Sequence, residues 1–242
     1  MDIHKPKAAH NWREFLIEIG TIVCGILIAL GLEQAVESAH WAKKVREAKS
    51  SIHRELVQAT VFGEERIHQQ DCRETYLAEL TTAIISSPAH WTPRPKVYCG
   101  TEHDSTYSGL ERPWPTETWR SIVAEGTVSH FSDTYRRQAP FVFNFIEFIN
   151  NRALEETQEA YNLNALDYKI DITPDAKIRF LNSIRKLRNQ NELVPLLCQQ
   201  LIGAISGLGE KPSEEELEQT RAKTPYYRGG LPMKHAAQPR AG

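Results

Sequence analysis

The stretch Phe15–Val36, FLIEIGTIVCGILIALGLEQAV, constrains this chain more than any other, because it is the one segment apolar enough to leave water. Its charge-free core, Ile19 to Leu32, is 14 residues long, short of the roughly 20 that a bilayer crossing needs. Counted from Phe15, and tolerating Glu18, the span becomes long enough for a single crossing. Three fates fit such a segment: an uncleaved anchor, a cleaved signal peptide, or a core helix of a soluble protein. Lys5, Lys7 and Arg13 precede it, and Ala29-Leu30-Gly31 offers a small-x-small cleavage site. Against cleavage, the helical pattern runs on unbroken through Glu33, Gln34, Ala35 and Val36, and Glu18 is out of place in a signal core. The anchor is the favoured reading. The near flank is basic on the N-terminal side and acidic, Glu33 and Glu37, on the other. That asymmetry favours an N-terminus inside and the following domain outside.

The rest of the chain is distinctly polar. With hydrophobic content at 40%, mean hydropathy is still −0.47, as expected of a water-facing domain tied to a membrane. A net charge of −2 over 242 residues gives no electrostatic case for binding nucleic acid.

After the anchor, apolar residues recur at helical spacing at Val45, Ala48, Ile52, Leu56, Ala59, Phe62 and Ile67, then at Leu77, Leu80 and Ile84. Gly63 is expected to bend or divide this helix. Residues 86–115 carry Pro88, Pro93, Pro95, Pro113 and Pro115 and read as a long loop or lid. A short helix opens at Thr116-Glu117 and closes at Gly126. Ser132-Asp133 starts another, with Phe131 as a staple; its wide apolar face (Phe141, Phe145, Phe148 and Ile149, with Val142, Ile146 and Ala153 beside it) predicts a central, well-buried helix. Thr173-Pro174-Asp175 starts a third, presenting Ile178, Leu181, Ile184, Leu187, Val194, Leu197, Leu201 and Ile205. Ser213-x-x-Glu216 is a capping box for a last, charged helix. No run alternates long enough to be called a strand. The expected fold is all-α: one N-terminal transmembrane helix, then an antiparallel helical bundle with a long Pro-rich loop. The expected divisions are a cytoplasmic flank at 1–14, an anchor at 15–36, a bundle at 37–223, and a disordered basic tail at 224–242.

Candidate functional residues are few. Glu18, Thr21, Gly25 and Ala29 share one helix face, and the last three form a small-xxx-small stripe that lets two helices approach inside lipid. Glu18 either hydrogen-bonds across to a partner helix or sits at headgroup level near Arg13. Cys72 and Cys99 either form a disulfide, which closes 27 residues and belongs in an oxidising compartment, or are unrelated thiols. Trp91, Tyr98, Tyr107, Trp114 and Trp119 cluster around the Pro-rich loop, as lining of a partner or ligand groove or as the cap of the bundle end. Glu102-His103-Asp104 reads as a solvated loop rather than a metal site. Lys177, Arg179, Arg185, Lys186 and Arg188 read as a solvated helix face, and Arg228, Lys234 and Arg240 in the tail are treated alike. No metal, nucleotide or nucleophile motif appears, so no cofactor is expected.

Trp12 to Glu37, with Thr118-Trp119-Arg120-Ser121 and the following Gly126 more weakly, resembles a group of uncharacterised bacterial proteins. These pair a short N-terminal anchor with a helical domain of unknown function. The resemblance implies a Gram-negative inner-membrane protein facing the periplasm and brings no activity or site residue with it. The expected role is a non-enzymatic accessory or scaffolding component in the lipid bilayer, partnered by itself as a homo-oligomer or by another envelope membrane protein. Rival readings are a periplasmic ligand-sensing bundle that signals through a partner, and an enzyme with a dispersed site.

Overall fold

The computed structural model describes residues 12–99, 101–109 and 113–224, without the side chains of Val97, Tyr98, Thr101 and Glu102. Lys5, Lys7 and the tail residues Arg228, Lys234 and Arg240 lie outside the described residues, as do most of the expected flank and tail. The protein is predominantly helical, with α1 at Trp12–His68, α2 at Gln70–Ser86, α3 at Glu117–Ala124, α4 at Asp133–Tyr161, α5 at Pro174–Gly207 and α6 at Glu214–Lys223. It divides into two compact units, residues 1–48 and 49–242.

In the first unit every large hydrophobic side chain from Trp12 to Val36 is exposed. An 18-residue window of α1 reaches a mean hydropathy of 2.4 with none of it buried. This helix is long and apolar enough to cross a membrane.

In the second unit α5 packs against both α4 and α2. One core gathers Leu77, Leu80, Ile84, Leu163, Leu166, Ile184 and Leu187, closed by Trp91 and Tyr107. A smaller one joins Val57 and Val61 to Leu217, which docks α6. The helix starts follow their capping chemistry: the Ser132 hydroxyl accepts from the Tyr135 amide, Thr173 accepts from Ala176 ahead of a first-turn proline, and Ser213 and Glu216 form the full capping box. Phe131 packs edge-on against Tyr135, with ring centroids 5.1 Å apart. Gly126 takes a left-handed φ of 74° just beyond α3, a conformation that costs glycine nothing.

Four expectations change. Gly63 does not divide the helix. It lies within α1, where a Cβ would meet the Cys198 Cβ at 3.4 Å and Ile202 at 3.5 Å, so its smallness serves the close approach of α5. The interruption falls at Gln69, and it spans one residue: Gln69 N–H still donates to the Glu65 carbonyl at 3.1 Å, and Arg73 N–H to the Gln69 carbonyl at 3.0 Å.

Short strands do exist. β1 (His90–Trp91) pairs antiparallel with β4 (Ile170–Asp171), and β2 (Val97–Tyr98) with β3 (Thr101–Glu102). Two-residue pairings are too brief to leave a period-two signal. The segment after α2 is therefore held to the core. Trp91 donates its indole N–H to the Leu166 carbonyl at 2.8 Å, and the Thr106 amide and hydroxyl both donate to Asp167, at 2.7 and 2.6 Å.

Finally, α4 buries less of its apolar surface than expected. The inner face of α4 carries Tyr135, Ala139, Val142, Phe143, Ile146 and Ile149, while Phe141 and Phe148 stay exposed. Ile178 of α5 is exposed as well.

Candidate functional site

The most heavily constrained place in the second unit is a charged cluster inside the core. Arg66 of α1, Arg73 of α2 and Glu156 of α4 are each no more than 2% exposed. Arg66 donates to one Glu156 oxygen at 2.7 Å, and Arg73 to the other at 3.1 Å. The Tyr107 hydroxyl donates to that second oxygen at 2.9 Å. Arg73 also reaches the Tyr107 oxygen at 3.0 Å, the Ser108 carbonyl at 3.1 Å and the Gln69 amide oxygen at 2.7 Å. Gln69 in turn donates to the buried Glu65 at 3.4 Å. Burial raises the Tyr107 phenol well above its ordinary range, and the Glu156 charge adds to it, so this hydroxyl stays a donor.

Charges in a dry interior persist only when paired and hydrogen-bonded. Here both guanidiniums pair with the single carboxylate of Glu156. The spacing Glu65, Gln69, Arg73 puts one polar group per helical turn along a single line that crosses the α1–α2 interruption.

Next to Arg73, Cys72 forms a disulfide with Cys99, with Cα atoms 5.4 Å apart and a sequence separation of 27. The bond closes the loop onto α2, and Tyr76 one turn on donates to the Thr106 carbonyl at 2.6 Å. Cys99 takes a left-handed φ of 54°. The remaining thiols differ: Cys24 is exposed and Cys198 is buried. Burial pushes the Cys198 thiol up to about 12, against a smaller opposing effect of Arg66, which leaves it unreactive at neutral pH.

Of the aromatic cluster, Trp91, Tyr107, Trp114 and Trp119 are all buried. Trp91 and Tyr107 belong to the main core, Trp114 meets Phe62 edge-on at 5.8 Å, and Trp119 stacks on Phe143 at 4.9 Å. These four side chains are taken up in packing contacts. The Tyr98 side chain lies outside the described residues. Asp104 and His103 are on the surface segment, and among the described residues no three His, Cys, Asp or Glu gather as a metal group. In the basic run, Arg188 pairs with Glu74 and Lys186 with Glu159 at 2.5 Å.

A second polar cluster joins α6 to α1. His53 places Nδ1 2.7 Å from Glu210 and Nε2 3.1 Å from Glu216. A carboxylate on each ring nitrogen favours the form in which both nitrogens donate, the imidazolium. Partial burial opposes the charge, but Glu210 and Glu216 outweigh it and raise the His53 pKa above its usual 6.5. Glu216 is held down to about 2, first by the Ser213 amide and hydroxyl and then by His53. Tyr135 donates to the far oxygen of Glu210 at 3.3 Å, and Lys49 lies 5.2 Å over the Tyr135 ring. Beside this clamp a cleft of about 750 Å³ is lined by Arg54, Val57, Phe62, Pro113, Thr220 and Lys223 among others.

In the first unit, Glu18, Thr21, Gly25 and Ala29 are exposed on one face of α1. The Thr21 hydroxyl is satisfied by the Ile17 carbonyl at 2.8 Å, and nothing approaches Gly25 within 4 Å.

No protein-family model matches this chain, and neither does any curated protein or solved structure.

Two outcomes test the clusters. Glu156→Gln removes the carboxylate charge that Arg66 and Arg73 share, replaces one of their two acceptor oxygens with an NH2 donor, and leaves two buried cations short of countercharge. Urea unfolding is expected to show a loss of about 3–5 kcal/mol, and a loss under about 1 kcal/mol contradicts the role. For His53 the folded pKa is raised. Its stabilising contribution is therefore complete below the unfolded value of 6.5 and fades as pH rises through the folded one. The gap in melting temperature between wild type and His53→Gln should be widest near about pH 6 and shrink towards about pH 9. A gap that grows with pH would have the sign wrong.

Proposed function

We propose that this chain is a non-enzymatic, membrane-anchored accessory or scaffolding protein of the bacterial envelope. Residues 15–36 cross the inner membrane once, residues 1–14 stay in the cytoplasm, and a helical bundle domain, 37–223, faces the periplasm. The observation that carries this reading is the stretch from Trp12 to Val36, apolar and wholly exposed. Each such side chain costs about 1.5–3 kcal/mol to leave in water rather than bury. Over a whole segment that outweighs a typical domain's net stability several times, so the segment needs a bilayer or a protein cover.

The disulfide supports the outward placement of the domain, since such bonds persist in oxidising compartments. On this reading the anchor also carries association. Glu18, Thr21, Gly25 and Ala29 form the face, Gly25 admits a close neighbour, and Glu18 is the polar contact across the helix pair. The partner is a second copy or another envelope membrane protein.

Alkaline carbonate washing of membranes should leave the full chain in the pellet. In a Cys24→Ser background, Thr21→Cys should form oxidative cross-links within the membrane, and Gly25→Ile should lower their yield. Release into the wash, or a yield that Gly25→Ile leaves unchanged, contradicts the proposal.

A further inference from the structure

The outer face of α4 is built for a partner. Six residues at spacings of four, four, three, four and three share that face: Arg137, Phe141, Phe145, Phe148, Arg152 and Glu155. They span about 27 Å at 1.5 Å per residue. Phe141 is 64% exposed and Phe148 41%, while Phe145 is partly covered, its ring 5.9 Å from that of Phe141. Arg152 lies 5.0 Å over the Phe148 ring and pairs with Glu155 at 2.8 Å. Phenylalanine in an unbroken line on a solvent face is uncommon in a water-exposed domain. The helix does not need the line for its own fold, because its opposite side, from Tyr135 to Ala160, already supplies the core contacts.

The charges at the two ends of the stripe say what fits it. Arg137 stands exposed at the N-terminal end, with no ion pair to any described residue. Glu155 closes the C-terminal end. The stripe thus has an unpaired arginine at one end, aromatic rings along it, and at the other end a half-exposed glutamate already paired with Arg152 and accepting from Gln190 at 3.1 Å. Such a surface is complementary to itself when turned end for end, the facing Arg137 supplying a second cation to Glu155. We propose that α4 is a homodimer surface, in which the stripes of two copies pack antiparallel about a two-fold axis near residue 146. In that register Arg137 of each copy faces Glu155 of the other, Phe145 faces Phe148, and Phe141 lies against Arg152. Each contact occurs twice, as a two-fold interface requires. A parallel arrangement would set Arg137 against Arg137. An anionic lipid surface would engage Arg137 and Arg152 and leave Glu155 without a cation of its own. Neither uses the whole pattern.

A single helix pair lies at the small end of specific interfaces, so its affinity alone is modest. If the chain is anchored as proposed above, confinement to a membrane raises the effective concentration of copies. The contact itself lies within residues 133–161 and is independent of the anchor face, so the two are tested separately.

The test uses the full chain in detergent with Cys24→Ser. Phe145→Cys, next to the two-fold axis, is expected to yield a covalent dimer on oxidation, whereas Leu154→Cys, exposed on another side of α4, is not. Arg137→Glu and Glu155→Arg are each expected to lower the Phe145→Cys cross-link about tenfold, since each puts like charges face to face twice. The double reversal is expected to restore it to within about twofold. Both charges are on the surface, so circular dichroism should show an unchanged fold. The absence of a dimer from Phe145→Cys, equal dimer from Leu154→Cys, or failure of the double reversal to rescue overturns the proposal. So does a Phe145→Cys probe that enters anionic vesicles without forming dimers, since that makes the stripe a lipid contact.

Discussion

The Glu156 carboxylate, clasped between Arg66 and Arg73, is the interaction on which the second unit depends. It draws together α1, α2 and α4 at one point with almost no access to water. Such a buried pair is not a large net source of stability, because the desolvation of three charges offsets most of their attraction. The effect expected of it is on uniqueness. An apolar core tolerates sliding and repacking by a fraction of an ångström, whereas a bidentate carboxylate with a tyrosine on the same oxygen tolerates very little. Once Glu156 is placed, the register of α4 against the α1–α2 pair follows.

The loop beyond α2 is held by consecutive residues through two kinds of force. Cys72 holds Cys99 covalently, and Arg73 holds Tyr107 and the Ser108 carbonyl through hydrogen bonds. Trp91 and Tyr107 then sit in the core. A segment rich in proline thus behaves as a fixed cover. The cross-link lowers the entropy of the unfolded chain by an amount worth about 3 kcal/mol for a loop of this size, provided it stays oxidised.

Much of this was legible in the chain. The helix starts at Ser132, Thr173 and Ser213 carry side chains whose only good partners are their own first-turn amides, and they appear where those residues fall. The apolar stretch before Val36 is likewise evident from composition alone. The charged core was not, because Arg66, Arg73 and Glu156 are separated by up to 90 residues and no local pattern links them. A signal was present all the same: Val142, Ile146, Ile149, Glu156 and Ala160 share the inner register of α4, and an acid in that register demands a buried cation. Phe141 and Phe148 misled in the opposite sense, since aromatic residues on both sides of a helix hide which side is the core. Gly63 looked like a breaker and turned out to be a contact point for α5, a distinction only packing makes.

The most direct measurement of the whole account is labelling of Cys72 and Cys99 with a membrane-impermeant maleimide, in spheroplasts and in lysed cells, with and without a reductant. A domain held outside the inner membrane and closed by its disulfide predicts labelling in intact spheroplasts only after reduction. Labelling that needs lysis but no reductant would place the domain in the cytoplasm with free thiols and contradict the account.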